Sequence, residues 1–310
     1  MKIAIFGSTS NIAKDVIAYF SQKNNLHLKL FSRRDKNFCI NIQSEDRIQK
    51  FYTLNYDDFD RFDHYDAIIN FIGIGTPTHE NKSSLVCVAD YFDSIILDYL
   101  NQNKACKYIY ISSGTVYGGN FSVPIQENFR DLDHEVIGKE ISNYAKSKLN
   151  CEIRHRENKF ASIYDLRIFN YFSHRLNISP GLLMSDICRS IADKNTLIVN
   201  NINITRDYID PDDFCILLEI ILKTKIRKMV IDCRSKKTIA KFELLELMKT
   251  RFGLNYEISN NGLSEKNNLI KKNYYSLMNN DHKLGFSPKY SSADSLIKEV
   301  NKVIAINAGE

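Results

Sequence analysis

The stretch from Lys2 to Phe20, KIAIFGSTSNIAKDVIAYF, decides the fold class of this chain. It begins with a short run rich in isoleucine and phenylalanine, which predicts a buried strand that stops at Gly7. Apolar residues then recur at helical spacing from Ile12 to Phe20. A strand, a tight turn and a helix form a unit whose helix N-terminus can accept a phosphate group. Repeated along a chain, such units build a parallel sheet with helices on its faces.

The turn after this strand keeps one glycine where dinucleotide-binding turns have three. Gly7 holds the first place, while Ser10 and Ala13 hold the other two. Both replacements are small, and the Ser10 hydroxyl can donate to a phosphate oxygen, so the geometry of the turn is retained. The turn therefore predicts a cofactor site, with the candidate residues Gly7, Thr9, Ser10, Asn11 and Ile12.

A second strand, from Leu26 to Phe31, ends at Ser32, Arg33 and Arg34. In dinucleotide-binding folds an acidic residue here holds the adenosine ribose hydroxyls, whereas an arginine accommodates a 2′-phosphate. No acidic residue occurs before Asp35, and a guanidinium presents several donors to a phosphate. We therefore expect Ser32, Arg33 and Arg34 to bind NADP(H), with NAD(H) as the less favoured alternative.

The residues up to Ile111 continue the alternation of strands and helices. Residues 51–54 predict a short third strand, and residues 66–75 predict a buried strand that ends in spaced glycines. A helix over residues 84–100 and a strand over residues 107–111 follow. Such alternation with short links predicts a doubly wound parallel sheet. Phe71 and Gly73 are further candidate cofactor residues, because glycine lets a ligand lie against the main chain.

A candidate reaction site follows the strand over residues 107–111. Ser113 lies at its carboxyl end, where open α/β sheets bind their ligands. Tyr144 and Lys148 are four residues apart on a predicted helix, so they share one face. An ammonium beside a phenol favours the phenolate and lowers a pKa that is normally near ~10. Tyrosine and lysine at this spacing also suit an ordinary amphipathic helix, but together with Ser113 they predict a metal-free site for carbonyl and alcohol chemistry.

The composition of the 310 residues narrows the possible partners. The net charge of +5 comes from basic residues scattered among acids, which favours small anionic ligands over nucleic acid. No apolar run is long enough to cross a bilayer, and the strand-like N-terminus is too short for a signal peptide. The seven cysteines form no C-x-x-C pair and no metal spacing, so we expect reduced thiols, no metal and a cytoplasmic location.

With these features in place, the chain resembles the extended short-chain dehydrogenase/reductases that act on nucleotide sugars. The resemblance covers nearly the whole length and is carried by residues 7–13, 112–118, 144–149, 166–170, 206–213 and 284–288. It implies an α/β fold, in which a Rossmann-type doubly wound parallel sheet is joined to a smaller, interleaved C-terminal α/β substrate lobe. The dinucleotide-binding domain would be residues 1–170 with residues 196–225 returning to it, and residues 171–310 would mainly form the nucleotide-sugar lobe. In the lobe we expect helices over residues 182–191, 211–223 and 241–252, and strand-like structure over residues 196–208.

The resemblance also implies roles for the three residues of the reaction site. Ser113 matches the hydroxyl that binds the reacting oxygen of the sugar, and Tyr144 matches the acid/base. Lys148 matches the residue that lowers the pKa of the tyrosine and holds the nicotinamide ribose.

Five further residues match substrate-side positions of the family. Thr115 matches a variable position that contacts substrate or sets the chemistry, and Asn170 matches a contact near the phosphates. Arg206 matches an arginine that grips the diphosphate, as a charge-assisted contact should. Lys271 and Lys272 align loosely with another phosphate-binding position.

Gly114 and Thr115 limit which of the family's reactions we expect this chain to catalyse. They stand where related dehydratases carry an Asp-Glu pair, so dehydration is not expected. Thr115 and Arg175 replace the cysteine and histidine of fucose-synthase-type epimerase-reductases, although His174 lies one residue away. The remaining hypothesis is an NADPH-dependent reductase of a nucleotide-linked 4-keto-6-deoxy sugar, used in bacterial-type surface polysaccharide synthesis. An NAD-dependent nucleotide-sugar 4-epimerase and a non-catalytic NADP(H)-sensing protein are the alternatives.

Relatives commonly dimerise through two helices from each subunit. Here these would be residues 84–100 and 143–156, and Leu85, Val88, Phe92 and Ile96 could form the apolar stripe of a four-helix interface, although the stripe could equally face the sheet. We therefore expect a homodimer.

Overall fold

The computed structural model describes residues 1–34, 37–44, 47–73, 84–118, 121–127, 142–176, 181–259 and 271–308. The chain divides into two compact units. The first unit comprises Met1–Val116, Gly138–Ile168 and Cys215–Ile231, and the second comprises Tyr117–Ile137, Phe169–Phe214 and Asp232–Glu310. The segment that returns to the first unit is therefore 215–231, whereas residues 196–214, which we expected to return with it, belong to the second unit.

The helices and strands follow one another along both units. The strands are β1 (Lys2–Phe6), β2 (His27–Ser32), β3 (Cys39–Ser44), β4 (Arg47–Tyr52), β5 (Leu54–Asn55), β6 (Ala67–Asn70), β7 (Lys107–Ser113), β8 (Ser162–Ile168), β9 (Asn170–Tyr171), β10 (Leu197–Asn200), β11 (Thr205–Arg206), β12 (Tyr208–Ile209), β13 (Lys228–Cys233), β14 (Ile239–Ala240), β15 (Tyr256–Ser259) and β16 (Asn273–Tyr274). The helices are α1 (Asn11–Phe20), α2 (Ser84–Gln102), α3 (Asn143–Glu157), α4 (Leu183–Asp193), α5 (Pro211–Lys223), α6 (Lys241–Phe252) and α7 (Ser292–Ala308).

A central sheet organises the first unit. Within the described residues it has seven strands in the order β13-β8-β7-β6-β1-β2-β5, and the paired neighbours from β8 to β5 are parallel. All residues of β6 and β8 are buried, as expected for parallel strands that are covered on both faces. The chain runs outward from β1 through β2 on one side and through β6 on the other. This reversal of strand order creates a switch point beside the carboxyl ends of β1 and β6, which is where doubly wound sheets bind ligands.

The region between β2 and β6 differs from the sequence-based expectation. In place of one strand over residues 51–54, the chain forms an antiparallel hairpin of β3 and β4, followed by the short β5. Ile40 and Ile42 are buried while Asn41 between them is exposed. This alternation is the signature of a half-buried strand, so the sequence contained the signal that the expectation missed.

The second unit has a core built mainly on helices. Ile187 of α4, Leu245 of α6 and Leu296 of α7 are fully buried in one cluster. The observed bounds of α5 and α6 equal the expected ones, and α4 begins one residue later than expected. The expected strand-like region over residues 196–208 consists of the three short strands β10, β11 and β12. In the described parts of the chain, no helix combines the length and hydropathy needed to cross a membrane.

The expected apolar stripe of α2 does not lie on one outer face. Ile96 has no exposed surface, and the ring of Phe92 packs against Phe6 of β1 with a centroid distance of 6.4 Å. Val88 is 43% exposed and Tyr91 is 61% exposed. Phe92 and Ile96 therefore face the core, and the side chain of Leu85 lies outside the described part of the structure. A periodic stripe alone cannot distinguish the sheet from a partner subunit.

Candidate functional site

The turn after β1 has the close approach that a phosphate-binding turn requires. Gly7 has φ +72°, and a Cβ at this position would lie 2.9 Å from the main-chain nitrogen of Ile72. Ser8 closes the turn by donating from both its main-chain nitrogen and its hydroxyl to the carbonyl of Phe31. Ser10 caps α1, because its Oγ accepts from the nitrogen of Ala13 at 3.2 Å. The hydroxyl hydrogen of Ser10 and the first main-chain N–H groups of α1 remain available to an anion.

Besides the half-buried Ser10, three more of the expected cofactor residues at this turn are half-buried. They are Thr9, Asn11 and Ile12, which lie next to the capping serine at the start of α1. The structure thus brings the five expected residues of this turn together at the carboxyl end of β1.

The three residues at the end of β2 that we expected to bind the 2′-phosphate differ in their exposure. Ser32 has no exposed surface; its Oγ donates to Thr53 Oγ1 at 3.1 Å and accepts from the nitrogen of Arg34 at 3.2 Å. Its hydroxyl therefore has an internal structural role that the sequence did not reveal. Arg33 and Arg34 are exposed, and the Arg34 guanidinium lies 5.4 Å from the centre of the Phe38 ring. These two arginines remain the candidates for a phosphate contact.

The end of β6 approaches the lysine of the candidate site. The buried Phe71 donates its main-chain N–H to the carbonyl of Phe6, which holds the segment beside β1. Gly73 is exposed, and a Cβ on it would lie 3.3 Å from the Nζ of Lys148. A glycine here therefore leaves room between the main chain and the ammonium. Residues 74 and 75, which complete the expected glycine pattern, lie outside the described residues.

Ser113 and Tyr144 form the centre of the candidate active site. Ser113 is the last residue of β7 and is 7% exposed. Ser142 caps α3 by accepting from the nitrogen of Ala145, so Tyr144 lies in the first turn of the helix. Burial raises the pKa of Tyr144, and its hydrogen bond with Ser113 opposes that change. Thr115 adds a hydroxyl, since its Oγ1 donates to Ser113 Oγ at 3.1 Å.

Lys148 lies four residues after Tyr144 on α3, and main-chain carbonyl groups hold its ammonium. Its Nζ donates to the carbonyls of Ile111 at 2.6 Å and Ile72 at 3.2 Å, and it lies 4.5 Å from the centre of the Tyr110 ring. Burial lowers the pKa of Lys148 to about 8. The expectation that the pKa of Tyr144 is lowered is wrong for this structure, in which burial raises it. The ammonium is anchored to carbonyl groups, and burial has the larger effect on the phenol.

The second unit contains a separate cluster of cations and aromatic rings. The Arg206 guanidinium lies 5.9 Å and the Lys271 Nζ 4.3 Å from the centre of the Tyr274 ring. Burial and the neighbouring Arg206 lower the pKa of Lys271 to about 8. Among the residues that the structure describes, neither cation has a carboxylate partner. Two partly buried cations without an acid are suited to bind an anion.

The other expected residues of the second unit contribute less to this cluster. Lys272 is exposed and pairs with Thr205 through its main-chain carbonyl. Asn170 is half-buried and donates to the carbonyl of Asp207 at 3.2 Å. His174, which kept open the epimerase-reductase alternative, has its Nδ1 held 2.6 Å from Glu299.

A shallow groove in the second unit and the aromatic residues beside it were not predicted from the sequence. This shallow groove is open to solvent, and its lining includes Leu183, Ile204, Arg206, Tyr208, Lys241 and Leu244. Both Arg206 and Lys271 lie near the ring of Tyr274. This tyrosine closely follows two lysines in the sequence, so that basic-aromatic pattern could have identified it. Lys241 had no such signal, because it stands in an amphipathic helix pattern.

Comparisons with known proteins agree with this architecture. The family model described as NAD dependent epimerase/dehydratase family matches residues 3–231, so the chain belongs to this family of NAD(P)-dependent enzymes. The expected extended short-chain dehydrogenase/reductase membership and the Rossmann-type fold are thereby confirmed. A search of curated proteins finds no match to the sequence.

Solved structures of similar fold cover almost the whole chain. UDP-glucuronic acid 4-epimerase from Bacillus cereus, in complex with NAD, has a TM-score of 0.74 at 18% identity, covering 99% of this chain and 99% of that one. UDP-N-acetylglucosamine 4-epimerase from Bacillus cereus has a TM-score of 0.74 at 16% identity, covering 98% and 99%. dTDP-glucose 4,6-dehydratase from Bacillus anthracis has a TM-score of 0.72 at 14% identity, covering 99% and 98%. At these identities the likeness concerns the fold.

Proposed function

We propose that this protein transfers a hydride between a nicotinamide dinucleotide and a ring carbon of a nucleotide-linked sugar. The observation that carries the proposal is the hydrogen bond between Tyr144 and Ser113 at the carboxyl end of β7. On the same helix as Tyr144, the Lys148 ammonium donates to two main-chain carbonyls. This arrangement puts a proton donor and an oxygen-binding hydroxyl at the edge of the sheet where ligands bind.

The residues around the switch point fit a dinucleotide. Gly7 keeps the turn free of a side chain that would strike the main chain at Ile72, and α1 offers its N-terminal N–H groups to a pyrophosphate. Gly73 leaves space beside the Lys148 ammonium, which would hold the nicotinamide ribose. When bound, the dinucleotide supplies or accepts the hydride.

The protein side chains handle the proton. In the direction of reduction, Ser113 would hold the carbonyl oxygen of the sugar, and Tyr144 would give its proton to that oxygen as negative charge develops. The raised pKa of Tyr144 keeps the phenol protonated before the reaction, which suits a proton donor. The Lys148 ammonium would then stabilise the phenolate that remains.

The nucleotide of the substrate would be bound by the second unit. Arg206 and Lys271 are the candidates for its diphosphate, since both are cations without an acidic partner among the described residues. Lys272, Asn170 and Thr115 are further expected contacts.

Our preferred reaction is NADPH-dependent reduction of a 4-keto-6-deoxy sugar of the kind used in surface polysaccharides. Arg33 and Arg34 support NADP(H), because both are exposed at the end of β2, where a 2′-phosphate is bound in related folds. A dissociable reduced cofactor then makes reduction the natural direction. The second candidate is a nucleotide-sugar 4-epimerase, which uses the same three residues. It is favoured by the three similar solved structures described above, of which two are named as 4-epimerases and two are complexes with NAD.

Cofactor oxidation tests this proposal directly. Purified protein is mixed with NADPH or NADH and a panel of 4-keto-6-deoxy sugar nucleotides, and the loss of reduced-cofactor absorbance is followed. Tyr144→Phe should lower turnover by at least roughly a hundredfold while cofactor affinity is retained. Tyr52→Phe is the control, because Tyr52 is an exposed tyrosine on β4. Full turnover by Tyr144→Phe would exclude the assigned acid/base, and a variant equally inactive and unable to bind cofactor would indicate a structural role.

Two further measurements separate the candidates. Arg33→Ala should weaken NADPH by about tenfold and leave NADH unchanged if the arginine binds the 2′-phosphate. NAD released by denaturing the purified protein, together with interconversion of 4-epimeric sugar nucleotides without added cofactor, would favour the epimerase. A protein that binds NADP(H) but acts on no substrate would favour a sensor.

We also propose that the protein is a homodimer that pairs the outer faces of α2 and α3. The exposed Val88 and Tyr91 support this, rather than the inward-facing Phe92 and Ile96. Light scattering should give the mass of a dimer for the wild type and of a monomer for Tyr91→Glu. A monomeric wild type would contradict the proposal.

A further inference from the structure

A group of buried charged side chains lies along α3 and takes no part in the proposed hydride chemistry. His155 is 1% exposed, Asp93 of α2 is 0% exposed, and Asp165 of β8 is 4% exposed. His155 follows Lys148 by seven residues, which is close to two helical turns, so both side chains leave the same face of α3. The cluster is therefore continuous with the helix face that carries the proposed lysine.

The imidazole of His155 bridges two carboxylates. Its Nδ1 lies 2.5 Å from Asp165 Oδ1, and its Nε2 lies 2.7 Å from Asp93 Oδ1. Burial lowers the pKa of His155, but the carboxylates of Asp165 and Asp93 outweigh burial and raise it to about 10. Both ring nitrogens then carry hydrogen at neutral pH and donate to the two acids.

Asp93 connects this bridge to the main chain that holds Lys148. The Tyr108 hydroxyl donates to Asp93 Oδ1 at 2.9 Å and accepts from Asn70 Nδ2 at 2.9 Å. Asn70 Oδ1 accepts from the nitrogen of Ile72 at 2.8 Å, and the carbonyl of Ile72 accepts from Lys148 Nζ at 3.2 Å. A chain of hydrogen bonds thus runs from the buried histidine to the main-chain nitrogen of Ile72, and the carbonyl of the same residue accepts from the lysine ammonium.

The same acids favour the charged form of Lys148. Burial lowers the pKa of this lysine to about 8, and nearby groups on each packed element oppose the change. Those groups are Cys151 and Glu152 on α3, Asp93 on α2 and Asp165 on β8.

We propose that Asp93, His155 and Asp165 are positioning residues, which act through Tyr108 and Asn70 to fix the Ile72 carbonyl and hence the Lys148 ammonium in the active site. This inference rests on the proposed function, in which Lys148 contacts the nicotinamide ribose. The bridge does more than join α2, α3 and β8. It sets the place and the charge of a group that binds the cofactor.

Removal of one hydroxyl tests the connection with little change in shape. In Tyr108→Phe the ring remains, but the link between Asp93 and Asn70 is lost. Tyr99→Phe is the matched control, because the Tyr99 hydroxyl also makes two hydrogen bonds. It accepts from the nitrogen of Tyr65 in a buried bond and donates to the carbonyl of Asp63 in a partly buried one. NADPH and NADH affinities are measured by fluorescence, and thermal stability is measured beside them.

We expect Tyr108→Phe to weaken the reduced cofactor by about fivefold, as for the loss of one net hydrogen bond, and Tyr99→Phe to leave its affinity unchanged. Both variants should lose thermal stability. If Tyr108→Phe loses only stability, the cluster is structural and the inference is overturned. If the wild type binds neither dinucleotide, the proposed function fails and takes this inference with it, which is a different result.

A second pair of variants tests the charge. Asp93→Asn should move the pH at which cofactor affinity declines to a lower value, because Lys148 loses a neighbouring anion. Asp90→Asn is the control: Asp90 accepts from Arg154 at 3.1 Å, as Asp93 does at 2.8 Å, but it makes no described contact with Tyr108. An equal shift in both variants, or none in Asp93→Asn, would contradict the proposal.

Discussion

Replacement of Gly7 by alanine tests the close packing of the turn after β1. The new Cβ would lie 2.9 Å from Ile72 N, 2.9 Å from Phe71 C and 3.1 Å from Phe71 O. All three atoms are main-chain atoms at the end of β6, so no flexible side chain can move aside. The residue also has φ +72°, a conformation that disfavours every residue with a Cβ.

The expected magnitude has two parts that a control can separate. The left-handed conformation costs roughly 1–2 kcal/mol, and the overpacking costs roughly 1–3 kcal/mol more. Replacement of Gly253 by alanine measures the conformational cost alone, because Gly253 has φ +71° but no neighbouring atom within 4 Å of its added Cβ. Gly253→Ala should therefore destabilise by roughly 1–2 kcal/mol and Gly7→Ala by roughly 2–5 kcal/mol.

Urea unfolding and hydrogen exchange provide the assay. Exchange reports each unit through its own amides, so the two variants can be compared even if the units unfold separately. The amides of β1 and β6 should lose protection in Gly7→Ala. If Gly7→Ala costs no more than Gly253→Ala, the close approach of Gly7 to the end of β6 is refuted.

Three further predictions concern stability and pH. Lys107 donates to the carbonyls of Ile221, Leu222 and Thr224 at the end of α5. Lys107→Met should therefore lower the free energy of unfolding by roughly 2 kcal/mol, whereas Lys104→Met should not, because Lys104 is exposed. Equal urea midpoints for the two variants would refute this. Burial raises the pKa of Asp207 to about 6 from 3.8, so its contribution to stability is fully present below pH 4 and is lost as the pH rises through 6. Asp207→Asn should therefore gain up to roughly 3 kcal/mol over the wild type across that interval, measured by urea unfolding, and a difference that does not change with pH would contradict the assignment. The pKa of Lys271 is about 8, so calorimetry should show UDP affinity declining as the pH rises through 8 in the wild type and not in Lys271→Met, if this lysine binds the diphosphate.

Much of the fold was predictable because short-range patterns determine it. The run from Lys2 to Phe20 predicted β1, its turn and α1, and the alternation of strands and helices predicted the parallel sheet. Ser113 was placed at the ligand-binding edge because it ends a strand, and Tyr144 was placed with Lys148 on one helix face by their spacing. The family resemblance then assigned Ser113 and Tyr144 to one reaction site. Their hydrogen bond agrees with that reasoning.

The remaining features depend on contacts between residues far apart in the sequence. The Ser32 hydroxyl is turned inward by Thr53 on the far side of the β3–β4 hairpin, and no local pattern reveals that bond. The pKa of Tyr144 rises because of burial, whereas the spacing of Tyr144 and Lys148 predicted only the attraction of two charges. Similarly, periodicity identified the apolar face of α2 but not the surface against which Phe92 packs.

The position of β13 at the end of the sheet affects how the chain is made. β13 is the neighbour of β8, and it is drawn from residues 228–233, long after the other strands of that sheet. Until the ribosome has added those residues, β8 presents an open row of main-chain groups, although all seven of its residues are buried in the finished sheet. A nascent or truncated chain that stops before β13 therefore exposes an unpaired strand edge that can pair with another chain. A shortened version for expression should extend beyond residue 233.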